Sequence, residues 1–234
     1  MKVYLLLLLL SFFIQVGNIE KIKPVAKYNI EVNEPSDIQY DSQSKSFWIV
    51  SDNGVLNECD LEGNLLRKAE FKGVDFEGVE IVGNYVLALD ETDRKIHFFN
   101  KQSLKLEKTI QLTYGGARNK GFESIAYNDK SKEYYLITEK DPSYLFVYDE
   151  NFHLKNQIEL SISNDISSAR WNNNKLWVLS DEDRKICLLD NNYKIVKTYE
   201  IPVINPEGIA FVNDDIYVVS DDLEKMYLFK TSNQ

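Results

Sequence analysis

Five similar units run through this chain. They open at Glu34-Pro-Ser-Asp-Ile38, Asp75-Phe-Glu-Gly-Val79, Gly121-Phe-Glu-Ser-Ile125, Asp165-Ile-Ser-Ser-Ala169 and Asn205-Pro-Glu-Gly-Ile209, so successive starts are 41, 46, 44 and 40 residues apart. Each opening leads into a short apolar segment, a polar turn and a second apolar segment that ends in an acid. The second segments read Phe47-Trp-Ile-Val-Ser-Asp52, Val86-Leu-Ala-Leu-Asp90, Tyr135-Leu-Ile-Thr-Glu139, Trp177-Val-Leu-Ser-Asp181 and Tyr217-Val-Val-Ser-Asp221. A third and a fourth segment complete most units. Four short strands at a period of roughly 40–45 residues is the spacing of propeller blades. Fourteen Tyr and twelve Phe agree with a strand-rich chain.

The last unit is short of a strand. After Met226-Tyr-Leu-Phe229 only five residues remain, too few for a turn and another strand. Lys27 to Val32, ahead of the first unit, has strand character and can supply it, closing the ring with no long open edge. The expected fold is therefore all-β: a five-bladed β-propeller of four-stranded blades over residues 27–234, closed by an N-terminal strand that completes the last blade. A β-solenoid or a sandwich leaves the incomplete fifth unit without a reason.

Ahead of the propeller, Met1-Lys2 and the apolar run Val3 to Ile14 have the layout of a secretory signal. Residues 1–17 are read as a signal peptide or uncleaved membrane anchor, and residues 18–26 as a linker. The chain is expected to be exported, periplasmic or cell-membrane associated, touching a membrane only through this segment. Cys59 and Cys187 fall in blades one and four, which are not neighbours in a ring of five, so two separate thiols are expected.

The openings and the interleaved Val-Ser-Asp, Leu-Ser-Asp-Glu and Val-Ser-Asp-Asp strand ends resemble the SdiA-regulated, YjiK-like propeller proteins over almost the whole mature chain. The resemblance implies an envelope-located propeller with a divalent cation near its central channel. Ser124 and Ser168 depart from the pattern, standing where glycine is usual.

With 27 Lys+Arg against 37 Asp+Glu the net charge is −10, which excludes nucleic acid as a partner because polyanions repel it. The repeat gives many of the acids an address. Glu34, Glu77, Glu123, Asp165 and Glu207 start inner strands; Asp52, Asp90, Glu139, Asp181 and Asp221 end the strands beside them. In the second unit a two-residue turn at Gly83-Asn84 sets Glu77 opposite Asp90. Ten carboxylates at one mouth of the channel must protonate, meet donors or hold a cation. Oxygen ligands without His or Cys suit Ca²⁺, and Mg²⁺ less well. Glu77, Glu123 and Glu207 lead this ligand set, with Glu34 and Asp165 beside them. The alternative is that the inner acids staple neighbouring blades. Glu91, Glu182 and Asp222 extend the negative rim, while Arg118 and Arg170 are not placed by the repeat.

Neither His97 nor His153 lies on a channel-lining strand, and no Gly-x-Ser-x-Gly, Walker, His-Glu-x-x-His or Cys-x-x-Cys spacing occurs. The chain reads as a monomeric, non-catalytic binding or scaffolding propeller for a small molecule or an envelope protein. A metal-dependent phosphoesterase or esterase/lactonase is the alternative, since Ca²⁺-carboxylate clusters can activate water.

Overall fold

The computed structural model describes residues 18–115, 120–140 and 142–231. The expected signal or anchor segment, residues 1–17, lies outside them, as does Arg118. Strands are numbered in chain order. Blade 1 is β3 (Pro35–Asp41), β4 (Ser46–Ser51), β5 (Val55–Cys59) and β6 (Leu65–Lys68). Blade 2 is β7 (Phe76–Val82), β8 (Tyr85–Asp90), β9 (Lys95–Asn100) and β10 (Leu106–Gln111). Blade 3 is β11 (Ser124–Asn128), β12 (Glu133–Ile137), β13 (Tyr144–Tyr148) and β14 (Leu154–Glu159). Blade 4 is β15 (Ser168–Asn172), β16 (Lys175–Ser180), β17 (Lys185–Leu189) and β18 (Ile195–Glu200). Blade 5 is β19 (Pro206–Val212), β20 (Asp215–Ser220), β21 (Lys225–Phe229) and, from the N-terminal side, β2 (Ala26–Asn29). The fold is the expected five-bladed propeller.

Closure uses the segment anticipated for it. β2 pairs antiparallel with β21, Ala26 facing Leu228 and Asn29 facing Lys225. The strand begins and ends earlier than Lys27 to Val32, and Ile30 and Val32 instead bury their side chains between blades 5 and 1. The stretch 18–26, expected as a linker, holds a further strand: β1 (Asn18–Lys21) lies parallel to β18 on the outer edge of blade 4. Its side chains are mostly exposed and show no apolar alternation, so pattern alone does not mark it. Ile22, immediately after it, is buried in the core between blades 4 and 5.

The hydrophobic interior is divided into five cores, one between each pair of neighbouring blades. This explains the unbroken apolar second strands. In β16, Val178 faces blade 3 and the next residue, Leu179, faces blade 5, so both faces of the strand are buried and alternation disappears. The outermost strands β6, β10 and β14 meet a neighbour on one edge only and are largely exposed. Trp48 packs in the core between blades 1 and 2, and Trp177 stacks on Tyr199 with a 3° interplanar angle. Cys59 and Cys187 are buried free thiols in separate blades.

β3, β7, β11, β15 and β19 contact one another in a closed cycle around the axis. In blades 1, 2 and 5 this inner strand carries a bulge near its start: β3 shifts register between Pro35 and Asp37, β7 between Phe76 and Gly78, and β19 between Pro206 and Gly208. The bulged residues are Ser36, Glu77 and Glu207, the third residue of each opening. A bulge re-aims its extra side chain and bends the strand. In blades 2 and 5 the bulged residue is a glutamate, whereas Glu123 of blade 3 stands just ahead of a strand with unbroken register.

Candidate functional site: an acidic funnel above an arginine plug

The fourth residue of each opening is Asp37, Gly78, Ser124, Ser168 or Gly208, and this layer closes the axis. Arg170 of blade 4 is 2% exposed and reaches across the centre. Its Nη2 donates to Asp37 Oδ2 at 2.6 Å and to Ile38 O at 2.6 Å, both in blade 1; its Nη1 donates to Ile125 O of blade 3 at 3.2 Å. Asp37 Oδ2 also accepts the Val79 N–H of blade 2, and its Oδ1 accepts the Ser168 hydroxyl of blade 4. The same Ser168 Oγ accepts the Ile209 N–H of blade 5 at 3.3 Å. One ion pair and one serine therefore tie all five blades together. Burial holds the Asp37 pKa above the ordinary carboxylate value even against the guanidinium.

Small side chains make room for this layer. A Cβ on Gly208 would stand 2.7 Å from Asp37 Cα and 2.8 Å from Ile38 N, both backbone atoms of the next blade, so only glycine fits there. The two serines that replace glycine diverge. Ser168 carries two hydrogen bonds of the plug, whereas Ser124 Oγ is buried without a partner among the described residues.

On the face where the inner strands begin, Glu77, Glu123 and Glu207 form the floor of a funnel. Each keeps part of its surface open to water, and each is surrounded by other carboxylates. Burial first, then the charges of Glu123, Asp52, Asp75 and Glu207, push Glu77 well above its ordinary value. Glu123 is likewise pushed well up by burial, by Glu91, and by Glu139 and Glu207. Burial, Asp181, Asp221, Asp52 and Asp165 raise Glu207 to about 8. Every leading influence on these three acids favours the protonated form.

The other expected residues divide. Asp52 is half-buried and raised to about 6 by burial and by Asp221 and Asp75; Asp181 is raised to about 7 by burial and by its hydrogen bond with Asp165. Asp221 is raised by burial and by Asp222 and Glu34. Glu139 sits at the rim, paired with Lys140 at 2.7 Å. Glu34 and Asp165 occupy the first position of the opening, not the third held by the floor glutamates. Glu34 is exposed, and its carbonyl accepts the Asp52 N–H. Asp165 is buried and turned into its own blade, accepting Ser180 Oγ at 2.5 Å, Asp181 N at 3.0 Å and Glu182 N at 3.2 Å. The third position in blades 1 and 4 is serine. Ser36 Oγ donates to Phe76 O and Ser167 Oγ donates to Pro206 O, each a staple to the next blade.

Asp90 does not face Glu77. The register runs as expected from Val82↔Tyr85 to Gly78↔Leu89, and then the bulge at Glu77 places Phe76 opposite Asp90. Asp90 is buried and accepts Val74 N–H at 2.9 Å and Asp93 N–H at 3.0 Å. Burial pushes it up, but His97 and these amides more than offset that, leaving its pKa low. Two acids outside the expected ten join the funnel. Asp75 opens the second unit, and Glu91 accepts the Gly121 N–H at 2.8 Å while pressing on Glu123. Asp75 was visible as the first letter of its repeat and Glu91 as part of the negative rim; that Glu91 acts across a blade boundary needed the fold.

Among the described residues no three His, Cys, Asp or Glu side chains are gathered closely enough to hold a metal ion as they stand. The donor chemistry is all-oxygen and suits a hard cation, but the carboxylates are not preassembled as a cage. No helix among the described residues is long and apolar enough to cross a membrane.

Two solved structures share this architecture. The Myxococcus xanthus glutaminyl cyclase superposes with a TM-score of 0.73 at 13% identity, over 92% of this chain and 97% of that one. The β-propeller domain of Cps50 (Swd1) from Myceliophteria thermophila matches with a TM-score of 0.57 at 10% identity, over 88% of this chain and 100% of that one. At such identities the likeness is one of fold. The SdiA-regulated family model matches residues 19–230, nearly the entire described propeller, and the chain belongs to the SdiA-regulated family.

Proposed function

We propose that this is an exported, non-catalytic binding propeller whose acidic funnel takes a divalent cation, Ca²⁺ ahead of Mg²⁺. The observation that carries the reading is the floor itself: three glutamates at one repeat position, each surrounded by carboxylates, share a water-reached funnel. A cation would relieve their mutual repulsion in place of protons. Because no cage is preassembled, the ion keeps several waters or draws the carboxylates inward. Glu77, Glu123 and Glu207 would hold it, with Asp52 and Asp181 nearest in charge. Ca²⁺ tolerates such irregular oxygen sets better than Mg²⁺, which demands near-ideal octahedral geometry. The apolar run Val3 to Ile14 supports export.

Thermal unfolding with chelator, Ca²⁺ or Mg²⁺ tests the cation. An ion at 100 times its Kd adds about 2.7 kcal/mol, which for a domain of this size raises Tm by roughly 5–10 °C. Ca²⁺ is expected to give such a rise and Mg²⁺ a smaller one. An unchanged Tm under all three conditions removes the cation from the account.

One observation favours a second reading. Glu207 at about 8 and Asp181 at about 7 are carboxylic acids poised to exchange protons near neutral pH, as general acids and bases are. The similarly folded Myxococcus xanthus protein is an enzyme, a glutaminyl cyclase. In this reading the funnel acts on a small molecule, the phosphoester and lactone hydrolases considered from sequence included.

A further inference from the structure

The opposite face of the propeller, where the β3–β4 and β7–β8 turns lie, has a cleft of its own between blades 1 and 2. It encloses about 430 Å³, within the ~300–1,000 Å³ typical of small-molecule sites. Its floor is built from buried polar groups. Asp41 is bound by Lys101 Nζ at 2.8 Å, and Glu58 is bound by Arg67 and by Ser46 Oγ at 2.7 Å. Arg67 also donates across the blade boundary to Gln102 O at 2.8 Å, which fixes the two walls relative to each other. The two acids and two bases are thus already paired, and the cleft is electrically balanced. An ionic ligand would have to break one of those pairs before gaining another.

What remains open is neutral hydrogen-bonding capacity. The side-chain amides of Asn84 and Gln102 line the cleft, and neither makes a hydrogen bond within the protein among the described residues. Each amide offers both donors and an acceptor. At the floor, Trp48 is 1% exposed and its indole lies against the Asp41 carboxylate, helping to hold it ionised. An apolar ligand would strand the two amides, and a charged one would compete with an ion pair.

We propose that this cleft binds a neutral saccharide, a mono- or disaccharide whose adjacent hydroxyls donate to and accept from Asn84 and Gln102 over the closed Lys101–Asp41 and Arg67–Glu58 pairs. This site is separate from the acidic funnel and stands whether or not the funnel takes a cation.

Isothermal titration with neutral saccharides (glucose, galactose, N-acetylglucosamine, maltose and cellobiose), alongside arginine and glutamate as charged probes, tests it. At least one saccharide is expected to bind with a Kd near or below about 1 mM. The Asn84→Ala/Gln102→Ala variant should weaken that binding about tenfold or more with Tm unchanged, since both residues are exposed and make no internal side-chain bond. If the turn substitution lowers Tm, Gln102→Ala alone carries the comparison. No heat from any saccharide up to about 50 mM, binding unaffected by the substitutions, or tighter binding of a charged probe in this cleft would each overturn the proposal.

Discussion

Replacing Arg170 with Met should be the most damaging single substitution in this protein. The side chain is nearly the size of the one it replaces, so little cavity is created, and the loss is electrostatic. Asp37, fully buried, would keep its place without its cation, and the carbonyls of Ile38, Ile125 and Ala169 would lose donors. Removing one partner of a buried pair costs about 3–5 kcal/mol, which here lowers Tm by roughly 6–20 °C. The double variant Asp37→Asn/Arg170→Met removes both members of the pair and should recover part of that loss, less what buried Glu80 gives up with the guanidinium, a coupling measurable by a double-mutant cycle in denaturant. A single Arg170→Met variant within about 1 kcal/mol of the parent would mean that the plug is not what joins the blades.

The second large effect is a fall in stability as pH rises. Glu207 titrates near 4.5 when unfolded and about 8 when folded. A carboxylate raised by folding contributes its full stability below the unfolded pKa and loses it as pH climbs through the folded one. Asp181, at about 7, and Asp52, at about 6, act in the same direction over narrower windows. Asp41 and Asp90 work the other way. Burial raises both, but Lys101 and His97 with nearby amides outweigh it, so their contributions vanish on acidification below their ordinary range. Stability without added cation should therefore peak near pH 4–5 and decline to pH 8. For Glu207 the decline is on the order of 3 kcal/mol once water at its open side is allowed for. Glu207→Gln keeps the shape and removes the charge, so its curve should be flatter and its Tm at pH 8 higher by several degrees. Equal losses in the variant at pH 5 and pH 8 would contradict a floor of mutually repelling acids.

The blade count, the missing strand and its replacement were all legible because they follow from spacing and from strands buried on both faces. β1 was not, since a parallel edge strand with exposed side chains leaves no apolar rhythm. The funnel was half legible. Glu77, Glu123 and Glu207 share one repeat position and do come together, but Glu34 and Asp165 sit two residues earlier in their openings: Asp165 turns into its own blade, and exposed Glu34 bears on Asp221 and Asp52. Asp90 left the ring because a single bulged residue at Glu77 moves its partner to the other side of the pairing. Bulges are decided by how neighbouring strands meet, not by the local string. The plug was least legible: Arg170 and Asp37 are 133 positions apart, and neither repeats from blade to blade.

In the proposed function the funnel exchanges protons for a cation, and proton release on Ca²⁺ addition is the decisive measurement. In weakly buffered solution at pH 7, Glu207 at about 8 is largely protonated, and burial and neighbouring carboxylates push Glu77 and Glu123 well above their ordinary value. Ca²⁺ binding should expel protons as the carboxylates ionise, with fewer released by Glu207→Gln. Ca²⁺ binding without any proton release, or no binding at all, would contradict it.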